Sequence, residues 1–184
     1  DGYKYYSVIN SEDYSGIAVY PNEHQETDVN DFLGPKYTRG DGVTIRQATQ
    51  ARDERMLELI KKSIPQGKKL KMLELGAGRG GLSRYVAAYF KKEGLLEKMV
   101  STNIAQKENE FNEAQAREMG FEAEEFEVVK MSFDEIPYEP ATFDLIYSND
   151  AFLHSINKQV MLEGVCKLLK PGGALVFSDI LENP

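Results

Sequence analysis

Features of secreted and membrane-embedded proteins are missing from this sequence. It contains a single cysteine, Cys166, which excludes an internal disulfide framework and favours a reducing compartment such as the cytoplasm. No apolar run approaches the roughly 20 residues that a membrane-spanning helix needs. The chain also opens without a secretory signal. We therefore expect a cytoplasmic protein that has no membrane partner.

Positive charge is scarce as well. The chain has 22 Lys and Arg residues against 30 Asp and Glu residues, which gives a net charge of −8. Proteins that bind nucleic acids gain much of their affinity from Lys and Arg. The densest basic cluster, Lys68, Lys69 and Lys71, is small. The composition therefore argues against a nucleic-acid partner.

The 184 residues carry no internal repeat and divide into two regions of different character. Residues 1–41 are rich in tyrosine and irregular, and we predict that they form an N-terminal arm or lid. Residues 42–184 show regular patterns and form the predicted folded domain, beginning with a helix that Thr44 can cap and that continues to Ile60.

Strands and helices alternate along this second region. Strands are predicted at 70–75, 99–103, 126–131, 143–148 and 174–180, and helices at 82–90, 105–119 and 156–169. This alternation predicts an α/β fold with a parallel, Rossmann-like sheet. Ligands of such sheets bind at the carboxyl ends of the strands.

A glycine-rich loop follows the first predicted strand. Gly76, Gly78 and Gly81 satisfy the GxGxxG spacing, which also fits a tight turn without a ligand. A dinucleotide would place its pyrophosphate near this loop, whereas S-adenosylmethionine has no phosphate and carries an ammonium group. Glu74, two residues before the loop, would repel a pyrophosphate and can receive an ammonium. The loop therefore favours S-adenosylmethionine over a nicotinamide dinucleotide.

The pattern Glu74-x-Gly76-x-Gly78-x-Gly80 resembles the first motif of class I S-adenosylmethionine-dependent methyltransferases. Phe143–Ser148 resembles the fourth-strand motif of these enzymes, and Lys170–Gly173 resembles their turn into strand five. The resemblance implies cofactor contacts from the glycine loop, ribose contacts from the second strand end, and adenine contacts beside it and at the third strand end. The residues so implied are Glu74, Gly76, Ala77, Gly78, Asn103, Ile104, Ser132, Phe133 and Asn149.

Within this class the chain is most similar to the sarcosine/dimethylglycine N-methyltransferases and the phosphoethanolamine N-methyltransferases. The segments that carry this similarity are Ile45–Ala48, Arg52–Glu54, Asn103–Ala105 and Ser148–Ser155. The resemblance implies a small-molecule amine as methyl acceptor. Glu108 departs from the pattern because a glutamine is expected there, and Asn103 replaces the aspartate that is common in the wider class.

The class has seven strands, and the sequence ends after the fifth. We therefore expect a fragment whose acceptor site is completed by residues outside it. Two other functions stay open: methylation of carbon or oxygen in a sterol-, quinone- or polyketide-like molecule, and cofactor binding without catalysis.

Asp150 and His154 are the candidate catalytic residues, because an amine must lose its proton before it can accept a methyl group. They stand four residues apart after the fourth strand, and on a helical turn they would share a face. Alternatively, Asp150 caps a turn and His154 is buried in the core. In the arm, Tyr14 and Ser15 are candidates to close over the amino-acid part of the cofactor, or to pack the arm onto the sheet.

Overall fold

The structure, a computed structural model, describes residues 45–65 and 67–179, with side chains from Thr49 onward. Helix α1 covers Ile45–Ser63, and the chain divides into two compact units, whose boundary in the sequence falls between Leu59 and Ile60. The predicted arm, residues 1–41, lies outside the described residues, as do Tyr14 and Ser15.

The second unit alternates strands and helices as predicted. Its elements are β1 (Leu70–Leu75), α2 (Gly81–Lys92), β2 (Leu96–Asn103), α3 (Gln106–Glu118), β3 (Phe126–Lys130), β4 (Phe143–Asn149), a 3₁₀ turn (Phe152–His154), α4 (Lys158–Leu168) and β5 (Leu169–Ser178).

The strands form one five-stranded sheet in the order β3-β2-β1-β4-β5, with every neighbouring pair parallel. The expected α/β, Rossmann-like fold is thus confirmed for strands one to five. Strands six and seven of the full fold are not among the described residues. The chain leaves β1 toward β2 and β3 on one side and returns to β4 and β5 on the other, so β1 and β4 flank the point where the strand order reverses.

The core lies on the two faces of the central strands. β1 and β4 read as nearly continuous buried runs because helices cover both faces of a parallel sheet. One cluster joins Leu75 of β1 and Ile146 of β4 to Met161 and Val165 of α4. Cys166 of α4, in contrast, is exposed.

Several element boundaries differ from the predictions; β2, for example, begins at Leu96 rather than at 99. The helix predicted at 156–169 begins at Lys158, because Asn157 caps it by accepting a hydrogen bond from the Val160 N–H at 3.1 Å. The fifth strand starts at Leu169 rather than 174. Residues 170–173 form an irregularity opposite Asp144 and then rejoin the ladder at Ala174.

Asp144 explains this irregularity. Its buried side chain, 2% exposed, accepts hydrogen bonds from Lys68 Nζ at 2.6 Å and from Lys170 Nζ at 2.8 Å. The backbone N–H of Lys71 donates at 3.0 Å to Oδ2, the same carboxylate oxygen that accepts from Lys170. The carboxylate therefore ties the start of β1 to the start of β5.

The ion pairs of Asp144 predict an acid-sensitive contribution to stability. Burial alone would raise the pKa of Asp144, but the hydrogen bonds from Lys170, Lys68 and the Lys71 N–H outweigh it and lower the pKa below 3.8. The folded state therefore binds this proton less tightly than the unfolded state, and the stabilisation is present above the unfolded pKa and lost as the pH falls through the folded value.

Urea unfolding from about pH 5 downward should show a decline in the free energy of unfolding that is reduced in Asp144→Asn. Glu125→Gln is the matched control, since Glu125 pairs with Lys91 at 2.5 Å but both side chains are more than a third exposed. If the decline of the unfolding free energy with falling pH were reduced equally in both variants, a special contribution from Asp144 would be contradicted.

Among the described residues, none of the helices combines the length and the apolar character needed to cross a membrane.

Candidate functional site

The carboxyl ends of the central strands bring the predicted site residues to one edge of the sheet. Leu75, the last residue of β1, is level with Thr102 of β2 and Ser148 of β4. The residues that follow, Gly76, Asn103 and Asn149, therefore stand side by side at the point where the strand order reverses. This is where an open α/β sheet places its ligand.

The glycine loop has a backbone that other residues adopt only with strain. Gly76, Gly78 and Gly80 have φ angles of 75°, 55° and 74°, in the left-handed region. The Ala77 N–H donates to the Thr102 carbonyl at 2.8 Å, and the Arg84 N–H donates to the Gly80 carbonyl at 3.0 Å, near the start of α2. The loop is thus fixed to β2 at one end and to α2 at the other.

Gly76 lies directly against the segment that follows β4. A Cβ atom on it would stand 2.4 Å from Ala151 Cβ and 3.7 Å from Phe133 Cε1. Phe133 in turn packs edge-to-face on Phe152, with ring centroids 6.0 Å apart. The structure therefore brings together the glycine loop, the β3 end and the β4 end, as predicted for a shared ligand site.

Glu74 is buried, with 2% exposure, and its carboxylate accepts a hydrogen bond from the Ser83 hydroxyl of α2. The sequence predicted a carboxylate near the ligand, and the structure shows that this carboxylate is also held from within the protein.

Asn103 and Glu108 form a pair at the end of β2. Asn103 Nδ2 donates to Glu108 Oε2 at 2.6 Å and to the Gly78 carbonyl at 3.3 Å. Both amide hydrogens of Asn103 are thereby engaged. The carboxylate of Glu108, in the first turn of α3, stands beside the glycine loop.

Other predicted adenosine contacts surround this pair. Ile104 is exposed, and Ser132 is half-buried, with its hydroxyl accepting from the Asp134 N–H at 3.2 Å. Asn109 Nδ2 donates to the Asn103 carbonyl at 3.0 Å. The buried Oδ1 of Asn109 has no hydrogen-bond partner among the described residues.

Asp150 has an uncommon backbone conformation, with φ of 52°. Asn149 Nδ2 donates to Asp150 Oδ2 at 3.0 Å, and the Ser178 hydroxyl contacts Asp150 Oδ1 at 3.3 Å. The Asp150 N–H donates to the Ser178 carbonyl at 2.9 Å. The carboxylate is therefore held by β5 and by its own neighbour.

The helical turn expected to align Asp150 and His154 is not formed. Asp150 is left-handed, and only Phe152–His154 adopt a short 3₁₀ turn, so the α-helical i, i+4 geometry is absent. His154 is exposed, so the alternative that it is buried in the core is also wrong.

The charges at this edge fit a cationic ligand better than an anionic one. Glu74, Glu108 and Asp150 contribute carboxylates at or beside the ends of β1, β2 and β4. The one cation of the glycine loop, Arg79, lies over the Phe111 ring of α3, 3.7 Å from its centroid. Carboxylates attract an ammonium or sulfonium and repel a pyrophosphate. This set of charges fits S-adenosylmethionine.

A family comparison assigns the domain. Residues 66–183 match the family described as "Methyltransferase domain", which is more than half of the chain. The chain belongs to this methyltransferase family. The expected α/β methyltransferase assignment is thus confirmed, and S-adenosylmethionine is the cofactor that it supports.

Individual relatives agree with the predicted resemblance. A sarcosine/dimethylglycine N-methyltransferase of Halorhodospira halochloris is 33% identical over 142 residues, which cover 77% of this chain and 48% of the relative. Phosphoethanolamine N-methyltransferase 1 of Triticum aestivum is 34% identical over 115 residues, covering 62% of this chain and 21% of the relative.

A solved structure, described as a proposed sarcosine dimethylglycine methyltransferase from Galdieria sulphuraria, has 29% identity and a TM-score of 0.74. The match covers 96% of this chain and 58% of that one. The methyltransferase chain spans about half the length, or less, of these curated relatives.

Sequence reasoning missed four polar residues that underlie the glycine loop: Ser83, Arg84, Ser101 and Asn112. A weak signal for them exists, because Ser83, Arg84 and Ser101 are polar residues inside otherwise apolar core segments. Their partners belong to different elements, so only the fold reveals that they meet.

Proposed function

We propose that this protein transfers a methyl group from S-adenosylmethionine to a small-molecule amine. The observation that carries the proposal is Asp150, a carboxylate held in a strained backbone conformation at the β4 end, where the site needs to receive a cation. Relatives named as sarcosine/dimethylglycine and phosphoethanolamine N-methyltransferases support the amine class.

The cofactor supplies a methyl group bound to a positively charged sulfur. The protein has to hold the amine near that methyl group, in line with the sulfur, and remove its proton, and positioning of this kind accounts for much of the rate enhancement. Asp150 attracts and orients the ammonium. His154, exposed four residues along, takes up the proton that the amine releases.

On the cofactor side, Glu108 and Asn103 receive the ribose hydroxyls. A carboxylate can accept two hydroxyl hydrogens, whereas both amide hydrogens of Asn103 are engaged by Gly78 and Glu108. Asn103 thus supplies its Oδ1 and holds Glu108 in place.

This arrangement predicts that Glu108→Ala weakens the binding of S-adenosylhomocysteine by about 1–3 kcal/mol, because ribose hydroxyls lose their acceptor. Isothermal titration measures this change. For the 2′-deoxy analogue of S-adenosylhomocysteine, the same substitution should reduce affinity much less, because this analogue lacks one of the two ribose hydroxyls that Glu108 would accept. Glu110→Ala is the matched control, because Glu110 is an exposed carboxylate on the same helix that pairs with Gln106. Equal affinities of the Glu108 variant and the unaltered protein would contradict the role.

The amine proposal is tested by kinetics on the full natural polypeptide with sarcosine, dimethylglycine and phosphoethanolamine as acceptors. His154→Ala and Asp150→Asn should each lower turnover at least tenfold and leave S-adenosylhomocysteine affinity nearly unchanged. The double variant should lose less than the sum of the two, because the residues act on one amine.

Gln159→Ala, an exposed change in the neighbouring helix α4, should turn over normally. Normal turnover of His154→Ala would contradict its role. Transfer to a sterol or quinone, but to none of the amines, would favour a carbon or oxygen acceptor and contradict the amine proposal.

A further inference from the structure

A chain of buried polar side chains runs beneath the glycine loop from a cation to an anion. It consists of Arg84, Asn112, Ser101, Ser83 and Glu74, each no more than 3% exposed. These residues come from α2, α3, β2, α2 and β1, so the chain crosses four elements.

The contacts of this chain are short. Arg84 Nη1 donates to Asn112 Oδ1 at 2.7 Å, and Asn112 Nδ2 donates to Ser101 Oγ at 2.9 Å. The hydroxyls of Ser101 and Ser83 are 2.7 Å apart, and the Ser83 hydroxyl donates to Glu74 Oε2.

All donors in the chain point the same way. Because the one hydrogen of the Ser83 hydroxyl goes to Glu74, the hydrogen between the two serines must come from Ser101. The order of donation is then Arg84, Asn112, Ser101, Ser83 and finally the Glu74 carboxylate. Hydrogen bonds aligned in this manner polarise one another, and they favour a negative charge on Glu74 balanced by the positive charge of Arg84.

The same arginine also reaches the far end of the glycine loop. Arg84 Nη1 donates to the Arg79 carbonyl at 2.7 Å. Asn112 fills the space beside Gly80, where an added Cβ would stand 2.0 Å from its side-chain atoms. The hydrogen-bonded chain therefore ends at Glu74, two residues before the loop, and contacts Arg79 and Gly80 within the loop.

We infer that Arg84 and Asn112, acting through Ser101 and Ser83, are positioning residues that keep Glu74 charged and oriented for the ammonium group of the cofactor. None of the four needs to touch the ligand. The inference rests on the proposed function and adds to it the residues that prepare the amino-acid part of the cofactor site.

Two ligands separate this role from a structural one. S-Adenosylhomocysteine carries the amino-acid ammonium, and 5′-methylthioadenosine has the same adenosine and thioether but lacks the amino acid. Ser101→Ala interrupts the series of hydrogen bonds in its middle and leaves the side chains of Arg84, Asn112 and Glu74 in place. We expect it to weaken S-adenosylhomocysteine binding about tenfold, a loss typical of a hydrogen bond to a charged group, and to change methylthioadenosine binding less than about twofold.

Ser83→Ala removes the donor to Glu74 itself and should have the same selective effect, so the test does not depend on one variant folding. Ser148→Ala is the matched control: its hydroxyl is equally buried and donates to the Leu75 carbonyl at 2.8 Å, outside the chain. In this control the affinity ratio of the two ligands should stay at the value of the unaltered protein.

Equal losses for both ligands in the serine variants, or no loss for either, would overturn the inference and leave the cofactor assignment intact. If the unaltered protein bound neither ligand, the proposed function itself would fail, and the inference with it.

Discussion

Replacing Gly80 with alanine is expected to destabilise the fold by about 2–5 kcal/mol. Roughly 1–2 kcal/mol comes from placing a side chain on a left-handed backbone, here with φ of 74°. The remainder arises because the new Cβ takes the space of the Asn112 amide, 2.0 Å away, and about 1–3 kcal/mol is lost for a buried polar group left unpaired.

Gly94→Ala separates these two contributions. Gly94 has a nearly equal φ of 71°, and a Cβ there would meet nothing within 4 Å. Urea unfolding should show the Gly94 variant losing only the backbone cost of roughly 1–2 kcal/mol. Equal losses of unfolding free energy in the two variants would show that the Asn112 side chain moves aside at no energetic cost. The buried hydrogen-bonded chain would then not be tightly held.

Replacing Gly76 with alanine is expected to lower S-adenosylhomocysteine affinity more than tenfold. The added Cβ would stand 2.4 Å from Ala151 Cβ, so the glycine loop and the segment after β4 must separate. A displacement of this kind moves ligand contacts on both sides of the site. Isothermal titration of the folded variant measures the loss.

The neighbouring alanine offers a compensating change. Gly76→Ala combined with Ala151→Gly removes the atom that collides, and part of the affinity should return. Gly120→Ala is the control for backbone strain, because Gly120 has φ of 80° and open space around it at the end of α3. An affinity of the double variant no better than that of Gly76→Ala would contradict the collision as the cause.

The segments that form strands, and their parallel arrangement, followed from local patterns. The run Leu70–Leu75 before glycines, and Phe143–Ser148 before Asn149, indicated parallel strands with polar residues at their ends. Such patterns involve only residues that are neighbours in the sequence, so the strands could be predicted without knowledge of the fold. Family resemblance then named the cofactor.

The errors arose where distant residues decide the conformation. β5 begins early because Lys170 reaches the buried Asp144, and this contact joins positions 26 residues apart. The segment from Asp150 to His154 is not α-helical because Ser178 pairs with the backbone and side chain of Asp150. The buried chain from Arg84 to Glu74 was invisible for the same reason, since each link joins residues that are 9 or more positions apart.

We expect the strand-end site of this methyltransferase chain to bind S-adenosylmethionine and not a dinucleotide. Isothermal titration with S-adenosylhomocysteine, and in parallel with a nicotinamide dinucleotide, tests it most directly. The acidic edge formed by Glu74, Glu108 and Asp150 predicts saturable binding of one S-adenosylhomocysteine per chain and no heat from the dinucleotide. Saturable binding of the dinucleotide, with none of S-adenosylhomocysteine, would contradict the account.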